Sequence, residues 1–514
     1  MKKLYLVLLC MSGVWSVMAQ NRVTIKADES KIVINRHIYG HFAEHLGRCI
    51  YDGFYVGEGN AKIPNKNGVR LDIVAALKKM KIPNLRWPGG CFADTYHWKD
   101  GIGPKAQRPK MVNTWWGGVT EDNSFGTHDF LNMCELLGTE PYLAGNVGSG
   151  TVQELSEWVQ YVNFPKNSPM SNLRQKNGRP EAWNVRYWGV GNEAWGCGGN
   201  MTPDYYANIY RQYATFMNPA VGKERIFRIA SGANSSDFNW TETLMKNIPL
   251  NLMEGVALHH YSVHSWEDGK KGSATDFTEA EYVKTMKQAL KMDEFIEKHA
   301  AIMDKYDPQK KIALVVDEWG GWYNVEPGTN PGFLFQQNTM RDAVLAGATL
   351  NIFHKHAERV RMANLAQVVN VLQAVILTEG TKIVLTPTYH VLEMYNVHQD
   401  ATLLPIDIST SDYTFEKEKL PAVSASASRD KAGKTHVSLV NIHAGQPQTV
   451  TVNLKGMKAS GVTGRILASS KVQDHNTFDN ANKVKPVAFS DAKLSGDELT
   501  VILPPASVVV LELQ

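Results

Sequence analysis

The sequence predicts a (β/α)8 barrel followed by a C-terminal β-sandwich that also takes in the first strands of the chain. Three observations carry this expectation. Between residues 37 and 380, short apolar segments alternate with helix-like stretches, the signature of a parallel sheet with helices outside it. That run holds eight candidate strands in one series, which favours a closed barrel over a doubly wound sheet. After residue 380 the texture turns to short, β-rich, turn-separated segments, as in a sandwich.

Taken in order, residues 1–19 open with Met1-Lys2-Lys3, run apolar through 4–17 and end with small residues at Val17 and Ala19. A short basic stretch, a short apolar core and small residues at −3 and −1 predict an export signal cleaved near Ala19, hence a periplasmic or extracellular protein. The apolar run is too short to span a membrane. Residues 21–36 (NRVTIKADESKIVINR) alternate apolar and polar around a turn at Asp28-Glu29-Ser30, which reads as a hairpin. It has no partner in a barrel, so residues 20–36 are expected to join the C-terminal sheet.

The barrel is expected over 37–380. Its strands are sought in IYGHFAEH, IPNLRWPGG, EPYLAGNVG, VRYWGVGNE, FRIASGA, GVALHHY and IALVVDEW, with the eighth left between NIFHKH and VRMANLAQ. Helices are expected between them, for example at 71–80, 130–137, 203–217 and 279–306. Residues 381–514 supply HVSLVNIHA, QTVTVNLKG, GRILASS, ELTVILPP and SVVVLELQ, the strands of the sandwich.

Composition narrows the function. The 54 Lys+Arg nearly balance 51 Asp+Glu, so nothing points to a nucleic acid or another polyanion. Cys10, Cys49, Cys91, Cys134 and Cys197 show no CxxC spacing and are too sparse for a disulfide scaffold. A zinc site is not expected from them, and a single bridge stays open for an exported chain. His259, His260, His264, His354 and His356 offer only HH and HxH spacings, without HExxH, so no catalytic metal is expected. The glycine-rich patches at 145–150 and 189–191 follow no phosphate- or dinucleotide-binding pattern, and no cofactor is expected.

The chemistry concentrates at strand ends. RYWGVGNE finishes in Asn192-Glu193 and ALVVDEW in Glu318, after the fourth and seventh strands counted along the chain. Active sites of such barrels form at the C-terminal ends of the strands. Two carboxylates there can divide acid and nucleophile roles across a sugar bond. Each also has a tryptophan close by in sequence, Trp195 and Trp319. Glu193, beside the charge of Glu318 and partly desolvated by Trp195, is expected to hold its proton above the ordinary glutamate range. Glu44 and His45 close the first strand, Arg86 the second, Asn146 the third, and His259, His260 and Tyr261 the sixth. So many polar groups at one mouth fit a hydroxyl-rich ligand better than packing.

The motifs GHFAEHLGRCIYDGFY (40–55), LRWPGGCFADTYHWKDGIGP (85–104), EDNSFGTHDF (121–130), YWGVGNEAWG (187–196), DEWGGWY (317–323) and MANLAQVVNVLQAVILTEG (362–380) together resemble glycoside hydrolase family 51, the α-L-arabinofuranosidases. The resemblance spans the whole barrel in order and extends to the hairpin and sandwich. It implies Glu193 as acid/base and Glu318 as nucleophile, with Glu44, Asn192 and Gln367 holding the furanose hydroxyls. It further implies that His259 and Tyr261 orient the nucleophile, that Arg86 supports the pocket floor, and that Cys91 lines the sugar pocket. Cys197 lies on a top-face loop as well, and whether Cys91 and Cys197 bridge is left to geometry. Of the mouth tryptophans Trp98, Trp115, Trp116, Trp195 and Trp322, the first and last are expected to stack on sugar.

The resulting expectation is a retaining, exo-acting arabinofuranosidase that takes terminal arabinofuranose from arabinan, arabinoxylan or their oligosaccharides. The resemblance also implies a homo-oligomer, and it admits a β-1,4-glucanase or xylosidase. An inactive carbohydrate-binding protein is the reading from another class, and the presence of both Glu193 and Glu318 speaks against it.

Overall fold

The computed structural model describes residues 21–27, 31–218, 221–267 and 269–514. The expected leader at 1–19 and the expected turn at 28–30 lie outside them.

Eight parallel strands close into a barrel. In chain order they are Gly40–Phe42, Asn84–Trp87, Glu140–Gly145, Tyr187–Val190, Phe227–Asn234, Gly255–Ser262, Ala313–Gly321 and Val360–Ala366. The ring shuts where Asn364, Leu365 and Ala366 pair with Gly40, His41 and Phe42. The eighth strand is therefore VRMANLA, while NIFHK ends the helix Met340–Lys355, with His356 as its C-cap. That helix is buried along its whole length apart from Lys355, because it packs both on the barrel and on a sandwich sheet. A helix buried all round has no polar face to mark its period, which is why its end resembles a strand in the sequence.

Other helices follow their apolar stripe. Leu71–Met80 buries Ile73, Val74, Ala76, Leu77 and Met80 and ends at Lys81, whose N–H caps the carbonyls of Leu77 and Lys78. The helix expected at 130–137 starts earlier, at Thr127, and the one expected at 203–217 stops at Phe216. Glu279–Tyr306 opens with a capping box between Thr278 and Glu281. The last barrel helix, Pro387–Tyr395, packs beside Met340–Lys355 and Leu71–Met80. It lies past residue 380, so the all-β region begins only at Thr402.

The sandwich has a five-stranded and a six-stranded sheet. The described residues of 21–36 do not pair with one another as a hairpin. Its strand Asn21–Lys26 lies parallel to Gln448–Lys455 and antiparallel to Ile406–Ser409 in the five-stranded sheet. Val33, from its second half, instead bridges Thr402 at the edge of the six-stranded one. Pairing with strands of the other end of the chain satisfies the backbone groups that a local hairpin would have paired.

Candidate active site

The site forms at the C-terminal strand ends, where the alternation of side chains is deliberately broken. The sixth and seventh barrel strands shift register between Ala257 and His259, and the seventh and eighth between Val316 and Trp319. Such bulges re-aim side chains and raise the local twist. Here they set His259 opposite Glu318 and turn both toward the barrel mouth. Glu193 follows the fourth strand with a φ of +39°, a left-handed backbone uncommon outside glycine.

Glu193 and Glu318 meet across His259, with one oxygen of each and a ring nitrogen of the histidine within 4.8 Å of one another. Arg86 Nη1 donates to Glu318 Oε1 at 2.8 Å, and Tyr261 Oη donates to Oε2 at 2.8 Å. His259 Nδ1 lies 2.9 Å from Glu193 Oε1 and its Nε2 3.1 Å from Asp317 Oδ1. Burial works against the His259 charge, but Glu318 and Asp317, with hydrogen bonds to Asp317 and Glu193, push the imidazolium up to about 10. An imidazolium donates from both nitrogens, as the two carboxylate contacts require. Burial raises the Glu193 carboxyl above its ordinary range; the His259 hydrogen bond pulls it down and the Glu318 charge adds to the rise. Asp317 stays below the carboxylate range because Arg86 and His259 outweigh its burial.

The floor is built on Glu44. Its Oε1 accepts from Phe92 N at 3.1 Å and Trp116 Nε1 at 2.9 Å, and its Oε2 from Gln367 Nε2 at 2.9 Å. Burial, reinforced by Glu318, pushes this carboxyl up to about 7. Glycine at residue 90 leaves this carboxylate its room: a Cβ there would sit 3.1 Å from Glu44 Oε1 and 3.2 Å from Oε2, so the Glu44 side chain would have to give. Beneath, Arg86 Nη2 donates to Asn192 Oδ1 at 2.6 Å.

These groups surround a cavity of about 310 Å³ whose wall includes Glu44, Cys91, Asn192, Glu193, His259, Tyr261, Glu318, Trp322 and Gln367. Of the residues singled out in the sequence, Arg86 lies under this cavity and Trp98 lies away from it. Trp98 is 2 % exposed; it stacks on Trp158 and donates to the Glu154 carbonyl. It is a packing residue, not a sugar platform. Trp116, Trp195 and Trp266 line the cavity with Trp322. His259 also differs from expectation, since its hydrogen bonds go to Glu193 and Asp317 while Glu318 Oε2 is 3.6 Å away. Cys91 and Cys197 are bridged.

Three supporting residues escaped the sequence reading. Asp317 anchors His259 and accepts from Tyr142 Oη at 2.7 Å. Its place directly before Glu318 was the available signal. Asp94 accepts from the backbone N–H groups of Val147, Gly148 and Asn192 at 2.7–2.9 Å, tying three strand-end loops together. Nothing in the sequence marks it, because its partners are backbone amides far along the chain. The exposed Trp266 packs edge-on against Trp322.

The chain is similar to known proteins along nearly its whole length. Residues 76–282 match the family model described as "Alpha-L-arabinofuranosidase 1 domain", and residues 317–507 the "Alpha-L-arabinofuranosidase C-terminal domain". A Bacteroides ovatus protein named "Intracellular exo-alpha-L-arabinofuranosidase" is 54 % identical over 96 % of this chain and 95 % of its own. The crystal structure of the GH51 arabinofuranosidase from Xanthomonas axonopodis pv. citri superposes with a TM-score of 0.94 at 49 % identity, over 96 % of this chain and all of that one. An arabinose complex of the Thermotoga maritima α-L-arabinofuranosidase follows at a TM-score of 0.82 and 30 % identity, covering 96 % and 99 %. The Bacteroides relative overturns one expectation. It is named intracellular and matches nearly end to end, which contradicts export after cleavage near Ala19. The expected signal rests on a basic start, a short apolar run and small residues at −3 and −1, features of composition that do not by themselves fix a protein's destination.

Proposed function

The chain belongs to glycoside hydrolase family 51, the α-L-arabinofuranosidases, and from that premise we propose that it removes terminal non-reducing α-L-arabinofuranose from arabinan, arabinoxylan or arabino-oligosaccharides with retention of configuration. The observation that carries this reading is the carboxylate pair, with one oxygen of each within 4.8 Å of the other. Retaining enzymes hold their two carboxyl groups about 5–5.5 Å apart, whereas inverting ones leave about 6.5–9.5 Å for a water.

Glu318 acts as nucleophile at the anomeric carbon, its oxygens aligned by Arg86 and Tyr261. Glu193 delivers its proton to the leaving glycosidic oxygen as that bond breaks. Its Oε1 accepts from His259, which leaves Oε2 to carry the transferred proton. Once glycosylated, Glu318 no longer bears charge, so Glu193 gives up protons more readily. It then takes one from the water that attacks the anomeric carbon and frees Glu318. Glu44, Asn192 and Gln367 grip the sugar hydroxyls from the floor. A floor closed by Glu44, Asn192 and Gln367 over Arg86, in a cavity of about 310 Å³, at the small end of ligand sites, supports attack on a chain end over attack within a chain.

The test is hydrolysis of 4-nitrophenyl α-L-arabinofuranoside beside the β-xyloside and a β-1,4-glucan, with the first-formed anomer followed by NMR. Turnover confined to the arabinofuranoside, with α-configured arabinose appearing first, is the expected result. Preference for the glucan, or β-configured arabinose as first product, overturns the proposal.

A further inference from the structure

Cys91 follows the second barrel strand and Cys197 the fourth, and a bridge joins them across 106 residues with Cα atoms 5.4 Å apart. Cys197 Sγ lies 3.6 Å from Glu193 Oε2. One donor atom from each of Cys91, Cys197 and Glu193 falls within 4.8 Å of the others. All three residues are half-buried, and Cys91 and Glu193 line the cavity, so solutes reach them. While the bridge is intact the sulfurs are spent on each other. Opened, the same wall presents two thiols and a carboxylate.

We propose that reduction of the Cys91–Cys197 bridge turns this wall into a binding site for a thiophilic divalent cation, with both thiolates and the Glu193 carboxylate as ligands. Thiolates select soft ions such as Zn²⁺ and Cd²⁺. Two zinc–sulfur bonds of about 2.3 Å at a tetrahedral angle need sulfurs about 3.8 Å apart, a parting that side-chain rotation provides at this Cα separation. Three negative ligands also outweigh the repulsion of the neighbouring His259 imidazolium. Cys49 and Cys134 do not compete, being fully buried.

The steps balance with a phosphine as reductant. The disulfide, one phosphine and one water give two thiols and one phosphine oxide. The cation then displaces three protons to solvent, two from the thiols and the one Glu193 holds as acid, and Glu193 coordinates through the oxygen that carried it. The consequence, loss of turnover in the reduced, metal-loaded enzyme only, rests on the reading of Glu193 as acid/base. The metal site itself does not.

The experiment treats the full-length protein with a water-soluble phosphine, removes the reagent and titrates with Cd²⁺ beside untreated protein. Two new thiols, one Cd²⁺ per chain and an ultraviolet thiolate-to-metal band are expected after treatment. Activity on the nitrophenyl arabinofuranoside should fall in step and return with EDTA, while untreated protein shows none of this. Cys91→Ser and Cys197→Ser should each lose the two-thiolate band. Glu193→Gln should keep the band but bind Cd²⁺ at least ~10-fold more weakly, the scale on which even outer-shell changes weaken metal sites. The inference falls if the bridge resists the phosphine in the folded protein, if reduction adds no Cd²⁺ binding, or if Glu193→Gln binds as tightly as the native chain. Binding as expected with turnover untouched leaves the metal site standing and overturns the acid/base assignment instead.

Discussion

Replacing Asp317 with asparagine tests how the charge of His259 is maintained. The rise of that imidazolium from 6.5 to about 10 is worth roughly 5 kcal/mol. Three neighbours share the work: the Glu318 and Asp317 charges, at 3.6 and 3.1 Å from its ring nitrogens, and the hydrogen bond to Glu193 at 2.9 Å. Removing one of them takes away about 2 kcal/mol and brings the imidazolium down to about 8–9. The group is raised on folding, so its stabilising contribution is full below its unfolded value near 6.5 and is lost as pH rises toward 10. In Asp317→Asn that loss should be complete nearer pH 8–9, and the pH-dependent part of the stability should shrink by about 2 kcal/mol. Histidine-selective NMR titration of both proteins, with the His259 signal assigned through His259→Asn, reads the first quantity. Urea unfolding at intervals from pH 6 to 10 reads the second. The variant should also lose kcat/KM above about pH 8, as neutral His259 stops donating to both neighbours. If His259 titrates at the same pH in both proteins, Asp317 does not hold the charge and the account is wrong.

The other predictions concern the remaining groups. Glu318→Ala should abolish turnover on every substrate, whereas Glu193→Ala should spare good leaving groups and be partly rescued by azide; equal losses on activated and unactivated substrates would refute the assignment. In the native enzyme kcat/KM should fall on the alkaline side as pH rises through the raised Glu193 value, and a pH–rate profile with no alkaline limb would show that no protonated acid is needed. Tyr261→Phe removes a buried 2.8 Å donor to a carboxylate, worth about 1.5–3 kcal/mol, so kcat/KM should drop roughly ten- to a hundredfold, as steady-state kinetics would read. Trp98→Ala should cost about 3–5 kcal/mol of stability and leave KM unchanged, while Trp322→Ala should raise KM with little loss of stability. Denaturant unfolding and kinetics on the same preparations separate the two.

How much of this was legible in the chain depended on whether a signal is local. Glu193, just past the fourth strand, and Glu318, near the end of the seventh, were legible because short apolar runs followed by polar residues are visible one segment at a time. The eighth strand was not, since Met340–Lys355 is buried on all sides and loses the period that separates helix from strand. Trp98 was misplaced because an aromatic ring serves a sugar face or a core equally well. Its stacking on Trp158 comes from a helix some 60 residues on.

By itself the sequence determined the barrel-plus-sandwich architecture, the near-neutral charge and the two carboxylates at strand ends, all properties of periodicity and composition within short windows. The tertiary structure alone decided which groups meet. It bent two strand pairs so that His259 faces Glu318, buried Asp317 behind the histidine, tied three loops to Asp94 and brought Cys91 to Cys197. Each of these joins residues tens to hundreds of positions apart, held by burial and hydrogen bonds that no local pattern encodes. The electrostatics of the site follow from those meetings, because a charge is shifted by its neighbours in space and by its distance from water.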